Sequence, residues 1–357
     1  MLTILNMPAR IVRRLINCIR PYDGFKNRKL IKSYSGFQKE FYRNFWAQAA
    51  KEIGADIVDV GYGFTKIQLN DAKTYVVDYR VMLDNHVTLK IAANKPLVLK
   101  LLQNDDFYVP QFLEYKLNTF DSAATFLETL GVDMVVKPAN GTGAGKGVTT
   151  HIDSLKKLKK ASKLASIYGD SLLMEEQIKG DSYRLLYIGG KFVDCIRRDP
   201  PVVIGDGISN IKTLIKHEND RRISSKGALT FHPLIIDMDC KLNLKEQGLS
   251  IKSIPEKNQP IAVKSVVNQN NYFQNHVVRD EVHKDVIAIG KKLMDDLGIE
   301  LGGIDIITSD ISVSLQESKG VINEINTTPG LHHHILVEEK DKILPIGEMV
   351  LKYIFKH

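Results

Sequence analysis

The stretch MVVKPANGTGAGKGVTTHI, residues 134–152, decides how the chain is read. Met134 to Lys137 has the unbroken apolar character of a buried strand, and Val148 to Ile152 reads as a second one. A glycine-rich loop joins them. A P-loop needs GxxxxGK[ST] between a strand and a helix. Counting back from Gly145-Lys146, Asn140 stands where the first glycine belongs, and Gly147 stands where Ser or Thr belongs. A GxGxxG fingerprint begun at Gly143 fails at Val148. The loop also connects strand to strand. Such a flap can close backbone N–H groups over phosphates; an ordinary flexible hairpin is the competing reading.

Working outward, Lys137 closes the first strand, and Ser154 caps a basic helix over 155–168 that Gly169 ends. Leu172 to Glu175 is a third apolar strand, followed by Glu176, Gln177 and Ile178. A strand lysine, a glycine flap and an acidic hinge together predict a nucleotide cleft. A hairpin is expected over 185–188 and 191–197 around Gly189-Gly190, then a helix from Ser209 through Glu218. Residues 219–275 read as long and polar, with a few strands and ordered loops. Helices are expected over 281–297 and 349–355, and strands over 303–308 and 321–326. Before the flap, 37–53 reads as a helix ended by Gly54, with strand-like DIVDV, TKIQL and TYVVDY after it and helices over 95–103 and 122–130.

The two late strands carry acids. Asp305 lies within the apolar run GGIDIIT, and Glu324 and Asn326 lie within GVINEINTTPG. Residues two apart on a strand face the same side, so Glu324 and Asn326 point together, and Asp305 joins them if the strands pair. Two carboxylates and an amide oxygen make a hard-oxygen set suited to magnesium. A solvated strand face is the bland alternative. The adjacent His332, His333 and His334 suit a polar edge of a cleft better than one metal ion, because neighbouring side chains cannot easily converge.

Composition narrows the class. With 357 residues, 43% hydrophobic and 25% charged, the chain is globular and long enough for two domains. No apolar run approaches the ~20 residues that span a bilayer. Cys18, Cys195 and Cys240 form no zinc-like spacing, which fits a reducing cytoplasm. Residues 1–34 hold eight basic residues and one acid, so the whole net charge of +7 sits there and the remaining body is neutral. A neutral body argues against nucleic acid as a partner. The arm is amphipathic: Ile11, Val12, Leu15, Ile16 and Ile19 share one face, opposite Arg10, Arg13, Arg14, Asn17 and Arg20. It suits docking on the protein itself, a membrane surface or an acidic partner; an Arg-rich start also resembles an organellar transit peptide.

Taken in combination, MVVKPANGTGAGKGV, LLMEEQIKGDSYRLLYIGGKFVDCIRRDPPVVIGDGISNIKTLI, GGIDIITSDIS and VINEINTTPGL resemble ATP-grasp ligases, most of all the ATP-grasp portion of cyanophycin synthetase. D-alanine–D-alanine ligase and bifunctional glutathione synthetase are more distantly similar. The likeness runs from about Asn94 to Leu331. It implies an α+β ATP-grasp fold: two α+β subdomains, 94–178 with the flap and 179–357 with the magnesium site, clasping ATP behind an N-terminal α/β region, 35–93, and the arm, 1–34. Lys95 in Asn94-Lys95 takes the place of a phosphate-binding lysine, and Lys137 is the second. The flap comprises Gly141, Gly143, Gly145, Lys146 and Gly147. Glu175 matches the hinge acid that bonds adenine, with backbone near Glu176 and Ile178. Ser182 aligns with the ribose-holding acid, and Asp181 stands beside it. Arg184 and Arg197 match basic positions suited to phosphate or the acyl intermediate, with Arg197 preferred for the oxyanion. Asp305, Glu324 and Asn326 match the magnesium ligands.

The activity implied is ATP-dependent ligation of a small-molecule or peptide carboxylate to an amine through an acyl phosphate, releasing ADP and phosphate. Two magnesium ions are expected, with manganese able to substitute. A homo-oligomer is compatible with the sequence. A phosphotransferase and a non-catalytic nucleotide-binding protein are the alternatives. The chain lacks the Mur-ligase-like half of cyanophycin synthetase, so it is not that whole enzyme.

Overall fold

The computed structural model describes residues 28–105, 107–140, 145–225 and 230–356. Gly141, Gly143 and residues 1–27 of the arm lie outside the described residues.

A long helix opens the described chain: α1 (Arg28–Glu52), followed by the antiparallel meander β1 (Asp56–Gly61), β2 (Phe64–Leu69) and β3 (Ala72–Val76). The expected arm therefore ends inside α1. Tyr34, placed in the arm by sequence, is buried, and its hydroxyl donates to the Asn219 carbonyl at 3.2 Å. Trp46 anchors the helix to the meander, its indole N–H donating to the Asp78 carbonyl at 2.7 Å.

Two short helices follow, α2 (His86–Ala92) and α3 (Lys95–Asn104). Asn94 caps α3 by accepting from the Leu97 N–H, and Pro96 sits in the first turn, where its missing N–H costs nothing. A four-stranded antiparallel sheet comes next, in the order β4 (Phe112–Tyr115), β7 (Leu172–Glu176), β5 (Met134–Pro138), β6 (Thr149–Ile152). Helices α4 (Phe120–Leu130) and α5 (Leu155–Ala165) cover one face through Leu127, Leu158 and Ala161 against Met134, Val136 and Met174.

The second half is built on five antiparallel strands in the order β12 (Asn275–Val277), β9 (Lys191–Arg198), β8 (Asp181–Ile188), β13 (Leu301–Thr308), β14 (Val321–Thr327). Between β9 and β12 the chain makes β10 (Val202–Ile204), α6 (Ile211–Ser224), α7 (Met238–Glu246) and β11 (Pro260–Ala262). These four form their own apolar cluster around Ile211, Leu244 and Ile261. The polar stretch 219–275 thus contains the end of α6, a full helix and a short paired strand. Helix α8 (Lys284–Leu297) packs on one face of the large sheet, with Tyr187 and Ile304 beneath it. At Gly290 an added Cβ would collide with the Tyr187 hydroxyl, so only glycine lets helix and sheet come this close. The chain ends with α9 (Leu315–Ser318) and α10 (Ile346–Ile354), and α10 packs against α1 on the opposite side of the sheet.

That opposite face changes character along its strands. Leu186 and Ile188 bury themselves under α1 and α10. Two residues earlier on the same face stands Arg184, and then Ser182. Asp305 pairs with Arg184 across β8–β13 and with Glu324 across β13–β14, which brings all of them to one side.

Candidate active site

The polar end of this face and the end of the four-stranded sheet enclose a cavity of about 670 Å³. Of the residues predicted from sequence, Lys95, Lys137, Gly145, Lys146, Glu175, Glu176, Ile178, Asp181, Ser182, Arg184, Asp305, Glu324 and Asn326 line it. Gly147 does not. Its φ of +77° and the Tyr168 ring 2.7 Å from a would-be Cβ make it a turn and packing position.

Arg197 is placed elsewhere. It pairs with Tyr183, on the face turned away from Arg184, and its Nε donates to Asp199 at 3.0 Å. The neighbouring Arg198 lines the cavity in its stead. Arg198 is buried, and its Nε has no hydrogen-bond partner among the described residues. Burial, and then the charge of Arg184, push its pKa down to about 9, which leaves it cationic at neutral pH.

Three ion pairs also line the cavity. Arg184 grips Asp305 with a two-pronged bond, Nε and Nη2 each 2.6 Å from a carboxylate oxygen. Burial tends to raise the Asp305 pKa, but the guanidinium overrides it and holds the carboxyl low. Lys137 Nζ lies 2.6 Å from Glu175 Oε2, both buried. Lys95, in the first turn of α3, pairs with Glu324. An isolated bridge between Asn94 and Asn140 sets that turn beside the root of the glycine loop. Gly180 enters β8 at a φ of +144°, with the Thr308 carbonyl carbon 2.5 Å from where a Cβ would sit.

Two observations bear on what fits here. Glu175 Oε1 is buried without a partner, an acceptor available to an amino group. Asp305, Glu324 and Asn326 offer hard oxygen donors, and the buried Asn326 Nδ2 is unpaired as placed, so the amide is free to present its oxygen instead. Among the described residues no three His, Cys, Asp or Glu side chains converge on a metal position.

The sequence reading missed several lining groups. Gln38 of α1, Tyr79, His232 and Asn268 all reach the cavity. His332 and His333, expected at a polar edge of the cleft, do line it, and the Tyr42 hydroxyl lies 2.9 Å from His332 Nδ1. His334 turns inward, its Nδ1 2.9 Å from Asp194 Oδ2. Burial and nearby cations hold His332 and His333 well below the ordinary histidine pKa. His232 falls from 6.5 to about 4, through burial and then Lys146. The unfolded chain therefore binds protons near pH 6.5 that the folded chain refuses until about pH 4. Stability is full above 6.5 and drains as pH falls toward 4. Melting temperatures at pH 7 and pH 5 are expected to show this loss, and His232→Asn is expected to lose less between them.

No family model matches the chain. It is 32% identical over 210 residues to the cyanophycin synthetase of Geminocystis herdmanii, covering 57% of this chain and 24% of that protein. It is 25% identical over 382 residues to the glutathione biosynthesis bifunctional protein of Clostridium perfringens, covering 97% of this chain and 48% of that protein. The crystal structure of a bifunctional glutathione synthetase from Pasteurella multocida aligns with a TM-score of 0.55 at 23% identity, over 87% of this chain and 43% of that one. The chain has the ATP-grasp fold. It spans from about a quarter to about half the length of these relatives. In ATP-grasp terms, the cavity lies between the two α+β units, the four-stranded sheet supplying Lys137 and Glu175 and the five-stranded sheet supplying Arg184, Asp305 and Glu324. Among the described residues no helix is long and apolar enough to cross a membrane.

Proposed function

We propose that this chain is an ATP-dependent carboxylate–amine ligase acting on small-molecule or peptide substrates. One observation carries the reading: the cavity brings Asp305, Glu324 and a buried Arg198, its Nε unpartnered among the described residues, from the five-stranded sheet together with Lys137 from the four-stranded sheet and Lys95 from α3. Lys95 and Lys137 hold the phosphates of ATP, and Glu175 Oε1 accepts from adenine. Asp181 and Ser182 lie at the mouth for the ribose. Asp305, Glu324 and Asn326 would hold magnesium, two ions by our reading with manganese able to substitute, which supplies neutralisation of phosphate charge. The substrate carboxylate attacks the γ-phosphorus, a step governed by positioning and charge. The amine then attacks the acyl phosphate. Arg198 faces the oxyanion that forms, while the enclosed cavity limits hydrolysis by water. The likeness to cyanophycin synthetase and to the glutathione biosynthesis protein supports the same reaction class.

Hydroxylamine tests it, being small enough for an amine site. With ATP, magnesium and the correct carboxylate it is expected to trap an acyl hydroxamate, with one ADP and one phosphate formed per product. AMP and pyrophosphate would mean an adenylate and would contradict the proposal. A phosphorylated hydroxyl product, with no hydroxamate from any carboxylate, would replace the ligase by a phosphotransferase.

A further inference from the structure

A second cavity, about 520 Å³, is lined by another face of α1 than the one that carries Gln38 to the ATP-grasp cleft. Its floor is apolar: Phe37, Phe41, Phe45 and Ala49 of α1, with Ile346 at the start of α10. Its rim is acidic. Glu40, Asn44, Gln48 and Glu52 form a ridge four residues apart along α1, and Glu348 stands on α10. Glu348 is paired with Lys352, and Glu52 accepts from Gln48, which leaves Glu40 as the least engaged acid. The lysines and arginines of this helix, such as Lys39, Arg43 and Lys51, stand off the groove. So an apolar trough whose charged rim residues, among the described residues, are all acids runs along most of the helix.

We propose that residues 10–20 of this chain dock in that groove as an amphipathic helix, antiparallel to α1. The segment is complementary to the groove in chemistry. Ile11, Val12, Leu15, Ile16 and Ile19 make one apolar face; of the arginines on the opposite face, Arg13, Arg14 and Arg20 stand nearest its edges, and residues 1–22 contain no acid. It is also complementary in length. The groove from Phe37 to Glu52 runs about 22 Å, and residues 10–20 as a helix would run about 16 Å. Residues 21–27 connect the segment to α1, within the roughly two to eight residues that join neighbouring helices. Pro21 and Gly24 in that connection are turn formers. The docked helix would stack on Phe41 and Phe45, whose rings lie 5.2 and 5.9 Å from that of Tyr42. Tyr42 in turn holds His332 at the active cavity. The arm thereby backs the helix that furnishes one wall of the cleft, independently of which reaction the cleft performs.

Native Cys18 gives a direct test, because Cys195 and Cys240 are buried. Glu40→Cys and Asn44→Cys variants of the full chain, treated with a short bismaleimide, are expected to crosslink to Cys18 within one chain, read by peptide mass spectrometry on the monomer band. Adding Glu52→Lys and Glu348→Lys to Asn44→Cys is expected to slow that crosslink about fivefold, as exposed attractions become repulsions. Crosslinks only between chains would overturn the proposal in favour of a second copy. Absence of any Cys18 crosslink in both variants, with labelling of the new cysteine confirmed, would overturn it outright. Co-sedimentation of the wild type with phosphatidylserine vesicles, together with protection of Cys18 by them, would overturn it in favour of a membrane surface.

Discussion

Glu324→Gln is expected to fold as the parent does and to turn over at well under a tenth of the parent rate. The substitution keeps volume and shape but removes one of the two carboxylates proposed for magnesium. A lost charged ligand removes several kcal/mol of charge stabilisation in the transition state, which corresponds to at least ~10²-fold in kcat. Lys95 loses its partner, but it is partly open to solvent, so the fold tolerates the change. The check is ADP release in the presence of both substrates, beside a thermal melt. A variant with the parent melt and more than about a tenth of the parent rate would remove Glu324 from the magnesium set.

The two adjacent arginines are expected to behave oppositely. Arg198→Met is expected to lower kcat by ~10²–10³, the usual cost of one lost oxyanion donor in an enclosed site. Methionine fills most of the buried volume, so packing survives. Arg197→Ala should stay within about threefold of the parent, because its guanidinium is committed to Asp199 on the other face. Steady-state kinetics on both variants decides the matter. Equal losses, or a greater loss at Arg197, would return the role to Arg197.

That reversal shows where the sequence stops being legible. The Gly189-Gly190 hairpin was readable, and so was the pairing of Ile188 with Lys191 and Tyr187 with Phe192 that follows from it. Continued without interruption, that register sets Arg197 opposite Ser182, on the cavity face. A bulge between Leu186 and Tyr187 admits one extra residue on β9, and every later side chain of that strand changes sides. Nothing in the run KFVDCIRRD marks the bulge, since Val193 is as good a strand residue as its neighbours. The strands that carry Asp305, Glu324 and Asn326 were legible because Asp305 sits in an apolar run and Glu324 and Asn326 keep the period of two. Gln38, Tyr79 and His232 were not, because each comes from a segment distant in sequence and reaches the cavity only through packing. Polar residues 219–275 hid α7 for a related reason: its buried face is narrow, carried mainly by Cys240 and Leu244.

The matched charges of the cleft have a thermodynamic corollary. A bare phosphate that captured Lys137 or Arg184 would leave a buried acid behind without its counter-ion, at a cost approaching that of breaking a buried pair, ~3–5 kcal/mol, and the partly open Lys95–Glu324 pair would cost less. A bare divalent cation that captured Asp305 or Glu324 would strand a lysine or arginine in the same way. Only a ligand that delivers both signs together satisfies every member. Under the proposed function, nucleotide and metal are therefore expected to strengthen one another's binding, by linkage each by the same factor. Read this way, the three pairs act as a filter at their own positions: each disfavours a lone ion of either sign and admits the neutralising complex of the two.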